Sequence, residues 1–272
     1  METSCSDWTV EVRHVHILKC ISSTKNANVY KCLWRNEVIC MKVLNYIAFD
    51  ELNILSKCVH PKVCQFLGGC IQDDKTYMLF EYMENGTLTN YIEEKYNTLT
   101  IKDRLKIARH ITLGLQYMNS REPYHILHRD LKPDNILVNE FGIPKIADFG
   151  LSKFNQFTPK RSNGKAHTGE VGSFRWTAPE VLKSEPYDHK ADVYALGSIF
   201  RYIFTNRVPY FNYKLQIQII HAKLTNVEDD LTDLHEGPIK ELIKKCTCPD
   251  QYERPEPEQI IVRIDDLLNK LS

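Results

Sequence analysis

The apolar pattern of this chain changes period once, near residue 85, and that switch restricts the folds open to it. Before it, residues 10–18, 27–34 and 38–44 form short apolar and β-branched stretches divided by polar turns, which predicts strands. Asp50, Glu51, Leu52, Ile54 and Leu55 then carry helical spacing, and strands resume near 63–67 and 76–80. From Leu88 onward the helical period dominates. Over 101–118, Ile107, Ile111, Leu115 and Met118 form one stripe, and later helices fit 192–205, 214–223, 239–246 and 258–271. A strand-rich lobe followed by a helix-rich lobe is an α+β arrangement, with Glu81-Tyr82-Met83-Glu84-Asn85-Gly86 as the expected hinge. The chain has no internal repeat, and its 272 residues suffice for one large domain or two lobes sharing an interface. One long irregular stretch, 154–172, interrupts the pattern, and such a loop inside a compact domain is usually functional.

Bulk composition removes several function classes. Lys+Arg and Asp+Glu both total 35, so no net charge favours nucleic acid or an anionic membrane surface. The first residues lack the basic-then-apolar order of a signal peptide. No apolar run approaches the ~18 residues of a spanning helix. Nine cysteines are an odd, scattered set, and Cys246-x-Cys248 has no second pair to complete a zinc site. Reduced thiols inside a cell, in the cytoplasm, are the expectation.

The chemistry is concentrated in His128-Arg129-Asp130-Leu131-Lys132-Pro133-Asp134-Asn135, followed by Asp148-Phe149-Gly150. A single Asp in a loop is ordinarily a solvated carboxylate. Here an acid, a cation, an amide and a second acid recur in fixed order. Phosphoryl transfer from a magnesium nucleotide needs that set: a carboxylate at the nucleophile, a cation at the moving phosphate and oxygen ligands for Mg²⁺.

These segments resemble the eukaryotic protein kinase domain. So do Ile39-Cys40-Met41-Lys42, Ala178-Pro179-Glu180, the run Asp192-Val193-Tyr194-Ala195-Leu196-Gly197, and Arg254-Pro255, all in the family's order. Leu33-Trp34-Arg35-Asn36-Glu37-Val38, Phe66-Leu67-Gly68-Gly69-Cys70 and Gly172-Ser173-Phe174-Arg175-Trp176 lean towards the tyrosine-kinase-like group. The resemblance implies a bilobal protein-kinase-like fold over 12–272, with an N-lobe at about 12–83, a hinge at about 81–86, a C-lobe at about 87–272 and a short extension at 1–11. It implies ATP and Mg²⁺ (Mn²⁺ as an alternative ion), with protein substrates as partners. Asp130 would take or orient the proton of the acceptor hydroxyl, Lys132 would face the transferred phosphate, and Asn135 and Asp148 would hold Mg²⁺. Lys42 would bind the α- and β-phosphates and pair with Glu51. Adenine would lie among Ile21, Val29, Cys40 and Leu137, its edge on backbone groups of Glu81 and Met83, with Phe80 closing the rear of the slot. His128 and Phe149 would join Leu55 and Phe66 in an apolar column standing on Asp192, while Glu180 and Arg254 would form a buried ion pair. Lys132-Pro133 after Asp130 points to serine/threonine rather than tyrosine acceptors. Arg129 would receive a phosphate from the 148–180 segment, with Thr168 the expected site.

Two departures stand out. The positions that family members fill with Gly-x-Gly-x-x-Gly are Ser22, Thr24 and Ala27, so a stiffer, looser cover for the phosphates is expected. Glu51 follows Lys42 by only nine positions, which predicts a helix shortened at its start. The second reading is therefore a pseudokinase, an interaction module that binds nucleotide without turnover.

Overall fold

The computed structural model describes residues 8–120, 125–148, 150, 153–155 and 173–271. Five strands, β1 (His16–Ser23), β2 (Ala27–Trp34), β3 (Glu37–Leu44), β4 (Phe66–Gln72) and β5 (Lys75–Glu81), pair antiparallel in the order β1-β2-β3-β5-β4. Two-residue turns at Arg35-Asn36 and Asp73-Asp74 close two of the hairpins with positive φ (51° and 66°; 51° and 57°), the backbone that matches strand twist. β3 is central, which places Lys42 opposite Val29 on one side and Met78 on the other. Trp8 and Val10 exchange backbone hydrogen bonds with Gly69, so part of the expected N-terminal extension is docked on β4.

Helix α1 (Phe49–Leu55) has seven residues and no side-chain cap, as the short Lys42-to-Glu51 interval predicts. Ala48 N–H instead donates to the Thr76 hydroxyl at 2.8 Å, anchoring the helix start to β5. Glu51, Leu52, Ile54 and Leu55 all face inward.

The helical lobe contains α2 (Leu88–Lys95), α3 (Ile101–Asn119), α4 (Pro179–Leu182), α5 (Lys190–Thr205), α6 (Gln216–Leu224), α7 (Pro238–Cys246) and α8 (Pro257–Lys270). Thr100 and Asp103 form a reciprocal capping box that starts α3. α5 is buried from Asp192 to Ile203 and is the axis of the lobe. A Cβ on Gly197 would sit 2.5 Å from the Cys246 Cβ, so glycine is what lets α5 touch α7. Short strand pairs, β6 (His125–Leu127) with β9 (Lys153–Asn155) and β7 (Ile136–Val138) with β8 (Pro144–Ile146), hold the two motif segments against this core. Among the described residues, no helix is long and apolar enough to cross a membrane.

Two expected strands moved. The stretch 10–18 splits into a 3-10 turn at Val12–His14 and β1, and the strand expected at 63–67 is β4 at Phe66–Gln72.

Candidate active site

The strand lysine reaches two acids from different parts of the chain. Lys42 Nζ lies 2.9 Å from Asp148 Oδ1 and 3.3 Å from Glu51 Oε1. Burial alone would lower the lysine's pKa, but the two carboxylates outweigh it and hold the ammonium charged. The acids differ. Burial and the charge of Asp148 push Glu51 up despite Lys42, whereas Asp148, also raised by burial, is brought below its ordinary value by Lys42, His128 and the Gly150 N–H.

Arg129 (φ 69°) and Asp148 (φ 59°) both adopt the left-handed backbone that non-glycine residues seldom occupy. The strain at Arg129 is held by Asp192, whose carboxylate accepts His128 N–H at 2.8 Å and Arg129 N–H at 3.0 Å. The His128 ring donates from Nε2 to Ala147 O at 2.8 Å, tying the first motif to the second. Phe149 and Thr168 lie outside the described residues, so the apolar column and the expected phosphosite are not described. Arg129 Nε donates to the Tyr187 hydroxyl at 3.0 Å.

Around Asp130 the two oxygens have different neighbours. Oδ2 receives Lys132 Nζ and Asn135 Nδ2, each at 2.9 Å, while Oδ1 receives the Ser173 hydroxyl at 2.7 Å. Asn135 Nδ2 also donates to Asp130 O at 2.8 Å, which turns its amide oxygen away. Among the described residues no donor reaches Asn135 Oδ1 or Asp148 Oδ2. Two hard oxygens are thus left open, and Mg²⁺, which usually keeps several waters, needs only one or two protein ligands.

At the hinge, Cys64, Met83 and Ala147 form a small apolar cluster with Phe80 and Leu137. Burial and neighbouring Cys32 push the Cys40 thiol up to about 11, so it lines the slot as a neutral group. Met83 N–H has no acceptor among the described residues, while Met83 O accepts from Gly86 N–H at 3.1 Å. Glu81 turns its side chain away from the slot, to Lys145 Nζ at 2.6 Å and Gln65 N–H at 2.7 Å.

Residues 15–263 match the protein kinase domain family. The chain belongs to that family. It is 27% identical over 275 residues to serine/threonine-protein kinase STY46 of Arabidopsis thaliana, covering 97% of this chain and 46% of that protein. It is 30% identical over 271 residues to probable serine/threonine-protein kinase drkC of Dictyostelium discoideum, covering 94% and 35%. Serine/threonine/tyrosine-protein kinase HT1 of Arabidopsis thaliana is 26% identical over 274 residues, covering 95% and 68%. The kinase domain described here thus spans less than half the length of the first two. These relatives agree with the lean towards the tyrosine-kinase-like group.

The glycine-poor turn of this kinase domain is closed by its own hydrogen bonds. Thr24 Oγ1 donates to Ala27 O at 3.0 Å and accepts Ala27 N–H at 3.1 Å, and Thr24 N–H donates to Ala27 O at 2.8 Å. Asn45, just past β3, clamps the tip from behind through Lys25 O and Asn26 O, each at 3.0 Å. No residue from Ile21 to Val29 has a positive φ, so this turn never visits the backbone that requires glycine. Val29 is half-buried beneath the turn, and Ile21 is exposed.

Far from the site, Glu180 and Arg254 meet in a bidentate pair at 2.6 and 2.8 Å, both buried. Arg175, Thr177 and Lys223 also reach the segment beside Asp130. Arg175 lay in a motif used only for family resemblance, Thr177 falls between two such motifs, and a lysine late in an amphipathic helix gives no sequence signal of burial.

Proposed function

We propose that this chain is an ATP-dependent protein kinase that transfers the γ-phosphate of Mg-ATP to serine and threonine hydroxyls of protein substrates. The observation that carries the reading is the joint arrangement of Lys42 with Glu51 and Asp148, and of Asp130 with Lys132 and Asn135. These residues supply charge where a transferring phosphate needs it. Lys42 holds the α- and β-phosphates, with Glu51 fixing its ammonium. Asn135 Oδ1 and Asp148 Oδ2 would hold the metal ion, which would neutralise phosphate charge. Asp130 orients the acceptor hydroxyl and takes its proton, while Lys132 faces the phosphate on its way across. The Met83 N–H meets the adenine edge between Val29, Cys40 and Leu137, with Glu81 contributing backbone. Ile21 closes the slot from β1.

Serine/threonine choice rests on Lys132-Pro133, and the protein works inside the cell, where ATP is available and cysteines stay reduced. Regulation by a phosphate on Thr168 that reaches Arg129 belongs to the same reading. The missing glycines favour the pseudokinase reading only if they leave the phosphates uncovered, and the hydrogen-bonded turn at Thr24 and Ala27 argues against that.

The test is Mg²⁺-dependent phosphorylation of a generic protein substrate by the purified chain, followed by phosphoamino-acid analysis. Asp130→Asn should lower turnover about 10²–10⁴-fold without changing the unfolding midpoint. A near-wild-type rate in that variant refutes the assignment. Nucleotide binding without turnover in the wild type establishes the pseudokinase instead.

A further inference from the structure

Lys223 is a buried lysine among the described residues. It sits near the end of α6 with 1% of its surface exposed. Its Nζ stands 4.6 Å from the Tyr194 ring centre and 5.2 Å from that of Tyr210, beside a cavity of about 80 Å³. Burying an ammonium is costly unless it is well paired. No carboxylate forms an ion pair with it among the described residues. The acid that acts on it most strongly, Asp229, is engaged by Arg201 Nε at 2.6 Å and Tyr210 N–H at 2.6 Å. Burial pushes the Lys223 pKa well below the ordinary lysine value, with Asp229 and Glu180 countering it and Arg254 and Arg175 adding to it. An apolar side chain would fill the same space without that penalty, so packing alone does not account for a lysine here.

Its donors show what it does hold. Lys223 Nζ donates to Arg175 O at 2.8 Å and Thr177 O at 2.7 Å. Thr177 Oγ1 donates to Ser173 O at 3.1 Å, and Ser173 Oγ to Asp130 Oδ1 at 2.7 Å. A continuous path of hydrogen bonds and two short backbone steps therefore links the buried ammonium to the candidate catalytic carboxylate. The same segment is fastened from the side by Arg175, whose guanidinium donates to Pro209 O, Tyr210 O and Tyr213 O at 2.6–3.1 Å. The outer face of this segment, with Ser173, Arg175 and Trp176, lines a pocket of about 240 Å³ together with Lys132, Pro133 and Asp134. Any polypeptide that brings a hydroxyl to Asp130 must pass that wall.

We propose that Lys223 is a positioning residue for the protein substrate: from inside the helical lobe it fixes the wall formed by Ser173 to Thr177, and through it the acceptor hydroxyl at Asp130. The inference rests on the kinase reading above. It acts on the acceptor side of the site and leaves the nucleotide side, at Lys42 and the hinge, untouched.

Lys223→Met keeps the length and volume of the side chain and removes both hydrogen bonds. Peptide phosphorylation, ATP dependence and peptide-independent Mg-ATP hydrolysis are measured on the full chain, with hydrogen exchange across 173–178. A displacement of the wall by about 1 Å predicts a drop of about 10²-fold in kcat/KM for peptide. KM for ATP and basal hydrolysis should stay within about twofold, and exchange at 173–178 should rise. Unchanged peptide kinetics overturn the proposal. So does a parallel loss of peptide, ATP and basal parameters, which marks Lys223 as a packing residue. If Lys223→Met does not fold, Lys223→Gln, whose amide N–H groups sit one bond closer to the backbone and fall short of the Arg175 and Thr177 carbonyls, is measured against the same two outcomes. A wild-type chain that phosphorylates nothing takes down the kinase reading and this inference together; an active wild type with an unaffected variant takes down this inference alone.

Discussion

Removing either partner of the Glu180–Arg254 pair should cost a large share of the domain's stability, and the two removals should not cost the same. Arg254 donates five hydrogen bonds: two to Glu180, and one each to Cys248 O, Lys190 O and Pro249 O. All five guanidinium N–H groups are therefore used. Glu180→Gln leaves the buried cation with three carbonyls and one amide oxygen, so the loss should lie near the lower end of the ~3–5 kcal/mol typical of a broken buried pair. Arg254→Met strands the Glu180 carboxylate, which has no other side-chain donor among the described residues. It also removes the donor from the half-buried Cys248 and Pro249 carbonyls, at up to ~1–3 kcal/mol each where water cannot replace it, whereas Lys190 O keeps its helical partner in α5. That variant should reach or pass the upper end.

Against a typical total of ~5–15 kcal/mol, Arg254→Met brings the domain close to its unfolding threshold. A loss of ~3–5 kcal/mol corresponds to a midpoint lowered by roughly 6–20 °C in a domain near this size. Thermal and urea unfolding are followed by tryptophan fluorescence, with Trp176 buried against Tyr202 in the same lobe at a ring distance of 6.1 Å. The double variant Glu180→Leu with Arg254→Met should recover part of the Arg254→Met loss, because the stranded charge is gone, and not all of it, because the Cys248 and Pro249 carbonyls still lack their donor. Losses under ~1 kcal/mol in both single variants, or Glu180→Gln the more damaging of the two, would refute the reasoning.

Other expectations follow from the site and its surroundings. Thr24→Gly removes the hydroxyl that closes the turn with Ala27, so KM for ATP should rise about tenfold for two lost bonds of ~0.5–1 kcal/mol each; a KM that falls means glycine freedom matters more than the preset turn. Glu51 has a raised pKa, so the folded state binds its proton more tightly than the unfolded chain does, and the ionised form costs stability at neutral pH. Glu51→Gln should then leave the unfolding midpoint at pH 7 unchanged or higher while turnover falls, and a lowered midpoint contradicts this. His110 is lowered to about 4 from 6.5, chiefly by burial and then by Lys62, Arg109 and Lys106. Its folded form resists protonation, so its share of stability is complete above pH 6.5 and is lost as the pH falls towards about 4. His110→Leu should flatten that part of the stability–pH curve; an unaltered slope argues against a half-buried neutral imidazole.

How far the sequence discloses this molecule depends on whether a residue's role is local. Helix limits were readable because burial imposes a period: the stripe from Ile107 to Met118 lies on α3 at Ile101–Asn119, and the helix expected at 239–246 is Pro238–Cys246. The strand expected at 63–67 was displaced because Val63 and Cys64 are apolar for another reason. They are core residues tied to Ile146 by a single bridge and a backbone bond at 2.8 Å. The true strand, β4, contains Gly68 and Gly69, which sequence rules discourage. Gly69 is nevertheless required, since a Cβ there would lie 2.5 Å from Tyr77 O.

The glycine-poor turn shows the opposite limit. Absence of Gly at Ser22, Thr24 and Ala27 reads as a loss only if the turn must use a left-handed backbone. Here the shape comes instead from hydrogen bonds that a motif cannot display: the Thr24 hydroxyl within the turn, and Asn45 arriving from the end of β3. Lys223 is invisible for the same reason. Its sequence neighbourhood is that of an ordinary amphipathic helix, and its meaning appears only when α6 carries it beneath carbonyls of Arg175 and Thr177, some 46–48 positions earlier in the chain. The motifs name the groups that meet a phosphate, because that chemistry restricts residue type. The groups that hold those residues in place are restricted by geometry alone, and several kinds of side chain could meet the same geometry. The acceptor side of this site is therefore where a kinase domain with familiar catalytic residues has most room to differ from its relatives.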